Sequence, residues 1–474
     1  MSSSIWNNDG KVHIPQYNKM THMNKTDVLI VGGGLCGVLC AYFLKEAGVK
    51  CVLLEGNRIG GGTIQNSMAR ITSQHGLIYS KLIQLYGKEK ARMYLQANEL
   101  AIAKYREIAS HIDCDFEETS SYVYSRTDRQ RIEEEISAVN SLGMKAEFAE
   151  NLELPFETAG AIRFSNQAQM NPMKFLEGIV KELDEYEDLD IYEGMKVDDW
   201  ISGTAWSGLY VTVANKIICA THFPYYNKKG KYCNKLYQKR SYMLALEKAP
   251  QLHGMYTDEA EDGLSFRSYG DYLIIGGEGH RTGKPGGGWD ALREKTFKYY
   301  PQAKEYSHWA VQDCMSLDGV PYIGPYSEET QNFYVASGFN GWGMTSAMVS
   351  AMLLTDAILK GEGKEPGATA SYSWGEVFYP GRKILLSPYL SNMKENILGK
   401  LTPGLKRCTH RGCALKWNSE EHSWDCPCHG SRFREDGKPL DNPAIENSEL
   451  EPFSRENRKK RADERRRKRN DPFA

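Results

Sequence analysis

A glycine-rich turn between two apolar runs constrains the fold of this chain more than any other feature. The segment TDVLIVGGGLCGVLCAYFLKEAGVKCVLLEG (26–56) reads as an apolar strand, a glycine turn, a helix with small residues and a second apolar strand. Unbroken apolar runs of this kind are typical of parallel strands that are covered on both faces. The segment therefore predicts a β-α-β unit, and with it an α/β fold built on a parallel sheet.

The glycines of this turn have the spacing of a dinucleotide-binding site. Gly32, Gly34 and Gly37 form G-x-G-x-x-G between the predicted strand and helix, where backbone N–H groups and the helix N-terminus can meet a pyrophosphate. Glu55 follows at the end of the second apolar run, where a carboxylate can accept hydrogen bonds from ribose hydroxyls. The pattern predicts a Rossmann-like domain and leaves NAD and FAD both open.

Length and composition favour a large intracellular protein. A chain of 474 residues with 41% hydrophobic residues can form two or three domains. It contains no run of about 20 uncharged apolar residues, and its first residues are polar, so we expect a cytoplasmic protein without a transmembrane segment. The cysteines scattered singly along the chain are expected to be reduced and buried: Cys36, Cys40, Cys51, Cys114, Cys219, Cys233 and Cys314.

The C-terminal end has a different charge from the rest of the chain. Residues 458–471 carry nine basic and three acidic residues, whereas the whole chain has a net charge of −2. Such a dense basic run cannot bury a face, so residues 456–474 are expected to be a disordered tail. Nucleic-acid binding is not favoured, because no aromatic residues that could stack on bases are interleaved with the charges.

Residues 408–433 (CTHRGCALKWNSEEHSWDCPCHGSRF) concentrate side chains that bind metals. Cys408, His410, Cys426 and His429 follow the spacing C-x-H-x15-C-x-x-H, so each of two loops offers one thiolate and one imidazole. Zinc fingers usually place their cysteines together and their histidines together. The mixed pairs suit a [2Fe–2S] cluster in which two cysteines hold one iron and two histidines the other.

CTHRGC and CPCHGSRF closely resemble the two cluster loops of Rieske ferredoxin-type domains. The resemblance implies a small all-β domain in which Cys408 and Cys426 bind one iron, and His410 and His429 bind the other. A zinc site or a purely structural role is the alternative.

The same resemblance covers residues beside the ligands. It implies a disulfide between Cys413 and Cys428 that ties the loops together, with a reduced pair as the alternative. Ser431 keeps a hydroxyl that can donate to a cluster sulfur, but Phe433 stands where quinol-oxidising Rieske proteins have a tyrosine. The third loop reads Asn-Pro-Ala at 442–444 in place of the usual Gly-Pro-Ala, and the chain turns basic soon afterwards. The final strands of the domain are therefore expected to be short or missing.

Residues 25–365 resemble the D-amino-acid-oxidase-like flavoproteins, the family of glycine oxidase and sarcosine oxidase. The resemblance rests on the order of three segments, namely ATHFP (220–224), DGVPYIGP (318–325) and SGFNGWGMTSA before a long helix. It favours FAD over NAD and implies that the late glycine loop passes the flavin, although an ordinary helix entry is the alternative. The additional FAD-binding residues that it implies are Ala220, Thr221, Gly338, Gly341, Gly343, Met344 and Thr345.

These resemblances predict a discontinuous domain organisation. A Rossmann-like FAD domain is interleaved with a mixed-sheet substrate domain, and a small all-β Rieske domain follows. The expected bounds are 25–88, 150–222 and 326–365 for the FAD domain, 89–149 and 223–325 for the substrate domain, 366–402 for a connector, 403–455 for the Rieske domain and 456–474 for the tail.

The flavoprotein resemblance also implies a reaction and candidate catalytic residues. The family oxidises C–N bonds of amines, amino acids or imino acids, and it typically places an arginine on a substrate-domain strand to pair with a carboxylate. Arg267 matches that position, with a surface arginine as the alternative. His75 and His280 are candidates for acid/base or structural roles. In sarcosine oxidases a cysteine before the late glycine loop binds the flavin covalently. Cys314 also precedes this loop, but its spacing to DGVPYIGP disagrees with such a link.

A flavin that takes two electrons and a cluster that passes one at a time together imply a dehydrogenase. We expect a small-molecule amine or amino-acid substrate and an electron acceptor that the sequence does not identify. A redox-sensing or electron-transfer protein without substrate turnover is the main alternative. A role linked to RNA, through the basic tail, is a third hypothesis.

Overall fold

A computed structural model of the protein describes residues 4–7, 10–201, 203–226, 229–330, 332–361, 373–402 and 406–448. The basic tail and the last expected strands of the Rieske stretch lie outside these residues. Among the residues described, none of the helices combines the length and the apolar character needed to cross a bilayer.

The described strands are β1 (Asn24–Val31), β2 (Cys51–Leu54), β3 (Arg70–Ile71), β4 (Glu117–Ser125), β5 (Glu147–Ala149), β6 (Gly160–Gln169), β7 (Leu189–Tyr192), β8 (Asp199–Ile201), β9 (Thr204–Ser207), β10 (Tyr210–Cys219), β11 (Leu236–Glu247), β12 (Gly254–Asp258), β13 (Ser265–Tyr269), β14 (Tyr272–Arg281), β15 (Lys304–Ser316), β16 (Tyr322–Pro325), β17 (Phe333–Ser337), β18 (Lys416–Asn418), β19 (Ser423–Asp425), β20 (Arg432–Phe433) and β21 (Pro439–Asp441). The described helices are α1 (Leu35–Glu46), α2 (Tyr79–Ala109), α3 (Arg129–Ser141), α4 (Pro172–Asp184), α5 (Tyr232–Lys235), α6 (Trp289–Tyr299), α7 (Gly343–Gly361), α8 (Gly375–Phe378) and α9 (Leu386–Leu401), with 3-10 turns at Ile5–Asn7 and Thr63–Asn66.

The first sheet confirms the β-α-β unit that the glycine turn predicts. Its strand order is β16-β17-β10-β1-β2-β7, with β9 on β10 and β8 on β9. Strands β1, β2, β7, β10 and β17 run parallel, and β1 and β2 are buried almost throughout. Helices α1, α4 and α7 supply most of the apolar side chains that cover one face. The carboxyl ends of β1 and β10 therefore lie side by side next to the N-terminus of α1.

The second sheet is mixed and larger, with the order β15-β11-β14-β13-β12-β4-β6-β3 and β5 on β6. Its pairs are antiparallel except for β12 with β4, which run parallel. Strand β6 lies in this sheet although it falls within the segment 150–222 expected for the FAD domain, because it pairs along its length with β4. The α/β fold with a second, mixed sheet is confirmed, while the individual domain bounds remain a prediction.

The C-terminal stretch forms a small antiparallel sheet in the order β18-β19-β20-β21. This confirms the small β unit expected from the cysteine-histidine motif. The stretch before it is more than a connector, because residues 373–402 contain α8 and the 16-residue α9. Helix α9 packs beside α5 through Asn392, whose Nδ2 donates to the carbonyls of Asn234 (3.0 Å) and Leu236 (3.3 Å).

A buried ion pair fixes the segment that follows α8 to the loop between β15 and β16. Arg382 donates from Nε and Nη2 to the two carboxylate oxygens of Asp318, at 2.7 and 2.9 Å, and its guanidinium lies 4.1 Å from the centre of the Tyr322 ring. The side chains of Arg382 and Asp318 are 8% and 1% exposed. Burial raises the pKa of Asp318, but the charge of Arg382 outweighs it, and the net pKa lies below the usual value.

We expect Asp318→Asn to destabilise the protein by about 3–5 kcal/mol, because it leaves the guanidinium of Arg382 buried without its counter-charge. Since the folded-state pKa of Asp318 is depressed, this stabilisation is present above pH ~4 and lost as the pH falls below it. Urea unfolding of the holoprotein between pH 3 and 8, followed by circular dichroism, measures both effects.

The matched control is Glu376→Gln, which breaks an exposed pair with Lys90 at 3.8 Å. That change should cost less than about 1 kcal/mol. Equal losses in the free energy of unfolding for Asp318→Asn and Glu376→Gln would contradict a structural role for the buried pair of Asp318 with Arg382.

Candidate functional site

A cavity of 820 Å³ lies between the first and second sheets. Three parts of the chain line it: the ends of β1, β2 and β10 with the turns that follow them, one face of the second sheet, and residues 438–447 of the C-terminal unit. Its volume suits a dinucleotide together with a small second molecule. The cavity therefore joins the glycine turn to the cluster unit.

At two of its three motif glycines, Gly32 and Gly37, the glycine turn approaches neighbouring backbone too closely for a side chain. A Cβ at Gly32 would lie 2.5 Å from the carbonyl oxygen of Ala220, and one at Gly37 would lie 1.8 Å from that of Gly32. Gly34 opens toward the cavity, since a Cβ there would meet nothing within 4 Å. Glu55 accepts from the backbone N–H groups of Gly33 and Asn57, at 2.7 Å each. Burial raises the pKa of Glu55, and these two donors oppose the shift.

The residues predicted to bind the cofactor separate into two groups. Those that line the cavity are Gly32, Gly34, Glu55, Ala220, Thr221, Gly341, Gly343 and Met344. The other three lie behind the cavity wall. Gly37 packs against Gly32, Gly338 packs against Leu236, and Thr345 contacts Thr72. The late glycine loop has positive φ at Gly338 (73°) and Gly341 (82°), which favours glycine at these two turns.

One end of the cavity is charged. The guanidinium of Arg70 lies 4.9 Å from the ring centre of Trp342 and donates to Oγ1 of Thr257. Asp313 borders the same loop, since a Cβ at Gly341 would lie 3.7 Å from its Oδ2. Burial lowers the pKa of Arg70 to about 10 and raises that of Asp313 to about 6. Lys239, paired with Asp313 across β11 and β15, also lines the cavity.

Arg267 does not occupy the position expected of a residue that binds a substrate carboxylate. Its guanidinium is fully buried, and Nη1 donates to the carbonyls of Met68 (2.6 Å) and Ala69 (3.0 Å). Met68 and Ala69 themselves line the cavity, so Arg267 lies one layer behind the wall. The arginine that faces the cavity is Arg70, one residue after Ala69.

His75 lines the cavity, but its ring nitrogens already have partners. Nδ1 accepts from the hydroxyl of Tyr94 at 2.6 Å, and Nε2 donates to the carbonyl of Thr72 at 2.8 Å. Burial lowers the pKa of His75 to about 3, so the ring is neutral. It also stacks on Trp342, with ring centres 4.9 Å apart. These contacts suit a positioning role, the structural alternative, better than acid/base chemistry.

His280, the second candidate histidine, and Cys314 are not placed for catalysis. His280 lies away from the cavity, next to Tyr242 and a second depression between β14 and the C-terminal unit. Cys314 does line the cavity, and its Sγ lies 3.5 Å from Oγ of Ser337. Burial raises the pKa of Cys314 to about 12, which keeps it protonated and weakly nucleophilic.

The two cluster loops share one geometry. In each loop the N–H of a glycine donates back to the carbonyl of the first cysteine, Gly412 to Cys408 and Gly430 to Cys426, both at 2.9 Å. Both glycines have positive φ, 79° and 80°. The turns bring the rings of His410 and His429 to 4.9 Å between centres. Two loops far apart in sequence thus present their cysteine and histidine side chains to one point.

The donor set fits a cluster ligated by two thiolates and two imidazoles. Neither ring nitrogen of His429 makes a well-formed hydrogen bond with a described residue, although both are buried. Burial raises the pKa of Cys408, but hydrogen bonds from Cys426, from Ser431 and from backbone N–H groups outweigh it and lower the net value. A thiolate and an unprotonated imidazole are the forms that bind iron.

A disulfide joins Cys413 to Cys428, as the resemblance implied, with 6.6 Å between their Cα atoms. Helix α9 closes over this bridge at Gly399, where a Cβ would lie 2.3 Å from Sγ of Cys428. The carbonyl of Gly399 accepts from the N–H of Ala414 at 2.7 Å. The bridge and α9 therefore brace the same side of the cluster unit.

The third loop and one phenylalanine connect the cluster unit to the cavity. Asn442 donates from Nδ2 to the carbonyl of Thr221, and the N–H of Ala444 donates to Oγ of Ser431 at 3.0 Å. Phe223 is fully buried, with its ring centre 6.3 Å from that of His410 and 6.1 Å from that of His429. The turn before Phe223 lines the cavity, so the cluster ligands and the cavity share one wall.

Buried polar side chains of the second sheet dock the cluster unit. Gln238 on β11 donates to the carbonyls of His429 and Asn442, both at 2.8 Å. Arg281 on β14 donates to the carbonyls of Pro427 (3.0 Å) and Cys428 (2.7 Å). Residues of the larger domain therefore hold the unit at its second cluster loop and at its third loop.

The sequence analysis did not single out several residues that the structure brings together here. They are Arg70, Thr257, Asp313 and Trp342 at the charged end, and Phe223, Gln238 and Arg281 at the cluster. Trp342 lies inside the segment SGFNGWGMTSA, which the resemblance to the flavoprotein family already marked, and an aromatic residue suits a substrate pocket. No local signal marks Gln238 or Arg281, because their role depends on strand pairing.

Comparisons with known proteins agree with both halves of this site. The family model for FAD dependent oxidoreductases (DAO) matches residues 27–357, and the Rieske [2Fe-2S] domain model matches residues 393–454. A protein of Bacillus subtilis (strain 168), described as a Rieske 2Fe-2S iron-sulfur protein, YhfW, is 31% identical over 491 residues. That alignment covers 91% of this chain and 94% of the relative.

Solved structures share the fold of the larger part. Glycine oxidase from Geobacillus kaustophilus superposes with a TM-score of 0.63 at 18% identity, covering 77% of this chain and 100% of that one. L-proline dehydrogenase from P. horikoshii gives 0.62 at 17% identity, covering 76% and 97%. At these identities the likeness concerns the fold.

Proposed function

Because the chain belongs to the FAD dependent oxidoreductase family and carries a Rieske [2Fe-2S] domain, we propose that it is a dehydrogenase of amines, amino acids or imino acids. Its cofactors are FAD and a Rieske-type [2Fe–2S] cluster. In this proposal a C–N bond of the substrate is oxidised at FAD, and the electrons leave through the cluster to an acceptor that remains to be identified.

The observation that carries the proposal is the wall shared by the cavity and the cluster ligands. Phe223 packs against both His410 and His429, and Thr221, two residues earlier, lines the cavity and accepts from Asn442 of the third cluster loop. An oxidase that reduces oxygen directly at its flavin has no use for this arrangement. A dehydrogenase that exports electrons needs its electron-transfer cluster close to the flavin site, and the shared wall provides this.

The charged end of the cavity supports a carboxylate-bearing substrate. Arg70 offers a planar guanidinium, braced by Trp342 and Thr257, that can pair with a carboxylate through two hydrogen bonds. Asp313, beside the late glycine loop, can accept hydrogen bonds from an amine. An amino acid bound between them would have its C–N bond next to that loop.

The chain's own residues divide the work in the proposed reaction. The backbone N–H groups after β1 and the N-terminus of α1 hold a pyrophosphate, and Glu55 braces that turn. His75 and Trp342 stack on each other and line the cavity at its charged end. FAD, when bound, would supply an acceptor for two electrons, and a cluster held by Cys408, His410, Cys426 and His429 would supply a carrier for one electron at a time.

Anaerobic stopped-flow mixing of the oxidised holoprotein with a panel of amino acids and amines tests this function. We expect at least one amino acid to bleach the flavin absorbance, followed by loss of the visible bands of the oxidised cluster. If no compound bleaches the flavin, or if the cluster stays oxidised after the flavin is reduced, the proposal is wrong. Absence of flavin bleaching with every compound would favour a redox sensor without substrate turnover.

A docking variant separates the two electron-transfer steps. Gln238→Leu has a similar size but cannot donate to the carbonyls of His429 and Asn442, and each unsatisfied buried group costs about 1–3 kcal/mol. We expect flavin bleaching at the wild-type rate and cluster reduction slowed by about tenfold or more. Gln130→Leu, on the exposed face of α3, is the control and should change neither rate.

A further inference from the structure

Helix α9 buries polar side chains and exposes apolar ones, which is the reverse of the usual arrangement in a folded protein. Its buried side chains are asparagines: Asn392 is bound to carbonyls of the α5 region, and Asn396 donates to the carbonyl of Cys233 at 3.0 Å. Its solvent-facing side carries a stripe of large apolar residues, which we call the α9 stripe: Leu386, Leu390, Ile397 and Leu401.

The residues of the α9 stripe lie on one side of the helix and are strongly exposed. Its residues follow the spacing i, i+4, i+11 and i+15, which places them on one face of a helix. They are 68%, 53%, 52% and 70% exposed, and Leu385 and Leu398 widen the patch. An apolar face of this size on the surface of a folded protein is typical of an interaction site.

The exposed charged residues of α9, and of the segment just before it, are lysines. Lys383, Lys394 and Lys400 are exposed beside it. Glu395, the one acidic residue in the sequence of α9, points to the other side and pairs with Lys284. The chain also ends in the run 458–471, with nine basic and three acidic residues. Leucine and isoleucine on one face with flanking lysines is the pattern of a helix that lies in the interface of an anionic membrane.

We propose that the α9 stripe binds the surface of a bilayer that contains anionic lipid, with α9 lying parallel to the membrane plane. The apolar side chains enter the boundary between headgroups and acyl chains, and the lysines contact lipid phosphates. The carbonyl of Gly399 on α9 is bound to Ala414, next to the disulfide that ties the cluster loops, so binding through α9 brings the cluster unit to the membrane surface. This proposal stands independently of the substrate.

Flotation of the full-length holoprotein with vesicles tests the proposal. We expect binding to vesicles of phosphatidylcholine mixed with phosphatidylglycerol, weaker binding to phosphatidylcholine alone, and partial loss of binding at high salt. The double variant Leu390→Ser with Ile397→Ser should need at least about tenfold more lipid for half-maximal binding, since two apolar anchors are lost.

The matched control is Leu209→Ser, which removes a leucine that is 82% exposed in the turn between β9 and β10. It should bind vesicles like the wild type. A variant truncated after residue 457 separates the tail from the helix, and it should retain binding that the double serine variant reduces. Flavin absorbance and circular dichroism verify that each variant is folded.

Three outcomes would overturn the proposal. Binding that disappears on truncation and is unchanged by the serine substitutions would assign it to the tail alone. A wild-type protein that is dimeric by light scattering, with a monomeric serine variant and no vesicle binding, would assign the stripe to a second copy of the chain. If the protein floats with none of the vesicles, the α9 stripe is assigned to a soluble partner and not to a membrane.

Discussion

Replacing His429 with alanine is expected to abolish the iron–sulfur cluster and to leave the flavin in place. The histidine is 1% exposed, and its two ring nitrogens are buried at the point where the cluster loops converge. Cys413 and Cys428, the other two cysteines of the cluster loops, are joined in a disulfide, so neither offers a free thiolate in place of the missing imidazole. Iron should fall to background, and the low-temperature EPR signal of a mixed-ligand cluster should be absent.

The same variant isolates the first half of the proposed reaction. Its flavin should still be bleached by the amino acid that reduces the wild type, but the reduced flavin should then persist under anaerobic conditions. His422→Ala, in the same unit with a side chain 74% exposed, is the control and should keep both iron and EPR signal. Iron retained by His429→Ala, or lost by His422→Ala, would contradict the ligand assignment.

The parts of the fold that local patterns encode could be predicted from the sequence. The glycine turn and its flanking apolar runs predicted β1, α1 and β2 because backbone approach and two-sided burial require those residue types locally. Helix α9 was missed and treated as a connector. Its buried face uses Asn392 and Asn396, which are weak helix formers, so contacts with the α5 region stabilise it and core-facing apolar periodicity is lacking.

The candidate site likewise contains some residues that local sequence patterns identify and others that only tertiary contacts bring together. The four predicted cluster ligands lie in two short motifs whose loops fold locally, and the structure brings the two loops together. The assignment of these residues as iron ligands stays a prediction. The charged end joins Arg70 on β3, Asp313 on β15 and Trp342 before α7, and only the pairing of distant strands brings them together. Arg267 was chosen for its strand, but the turn containing Met68 and Ala69 covers its guanidinium, a tertiary contact without a local signal.

Replacing Arg70 with methionine should lower kcat/KM for an amino-acid substrate about 100-fold, equivalent to ~2.7 kcal/mol of transition-state binding. Methionine retains much of the apolar length against Trp342 but cannot pair with a carboxylate. The loss should be specific to the carboxylate, so the decarboxylated amine of the same substrate should react with Arg70→Met and with the wild type at similar rates. Steady-state kinetics with an artificial one-electron acceptor gives both values.

Arg267→Met provides the decisive comparison, because Arg70 lines the cavity whereas Arg267 is fully buried behind its wall. Arg267 holds the carbonyls of Met68 and Ala69, so its removal leaves these groups without their donor and should lower the melting temperature. Its effect on kcat/KM should be similar for the amino acid and for the decarboxylated amine. If Arg267→Met is the variant that loses discrimination between the two compounds, then the carboxylate is bound at Arg267 and the role assigned to Arg70 is wrong.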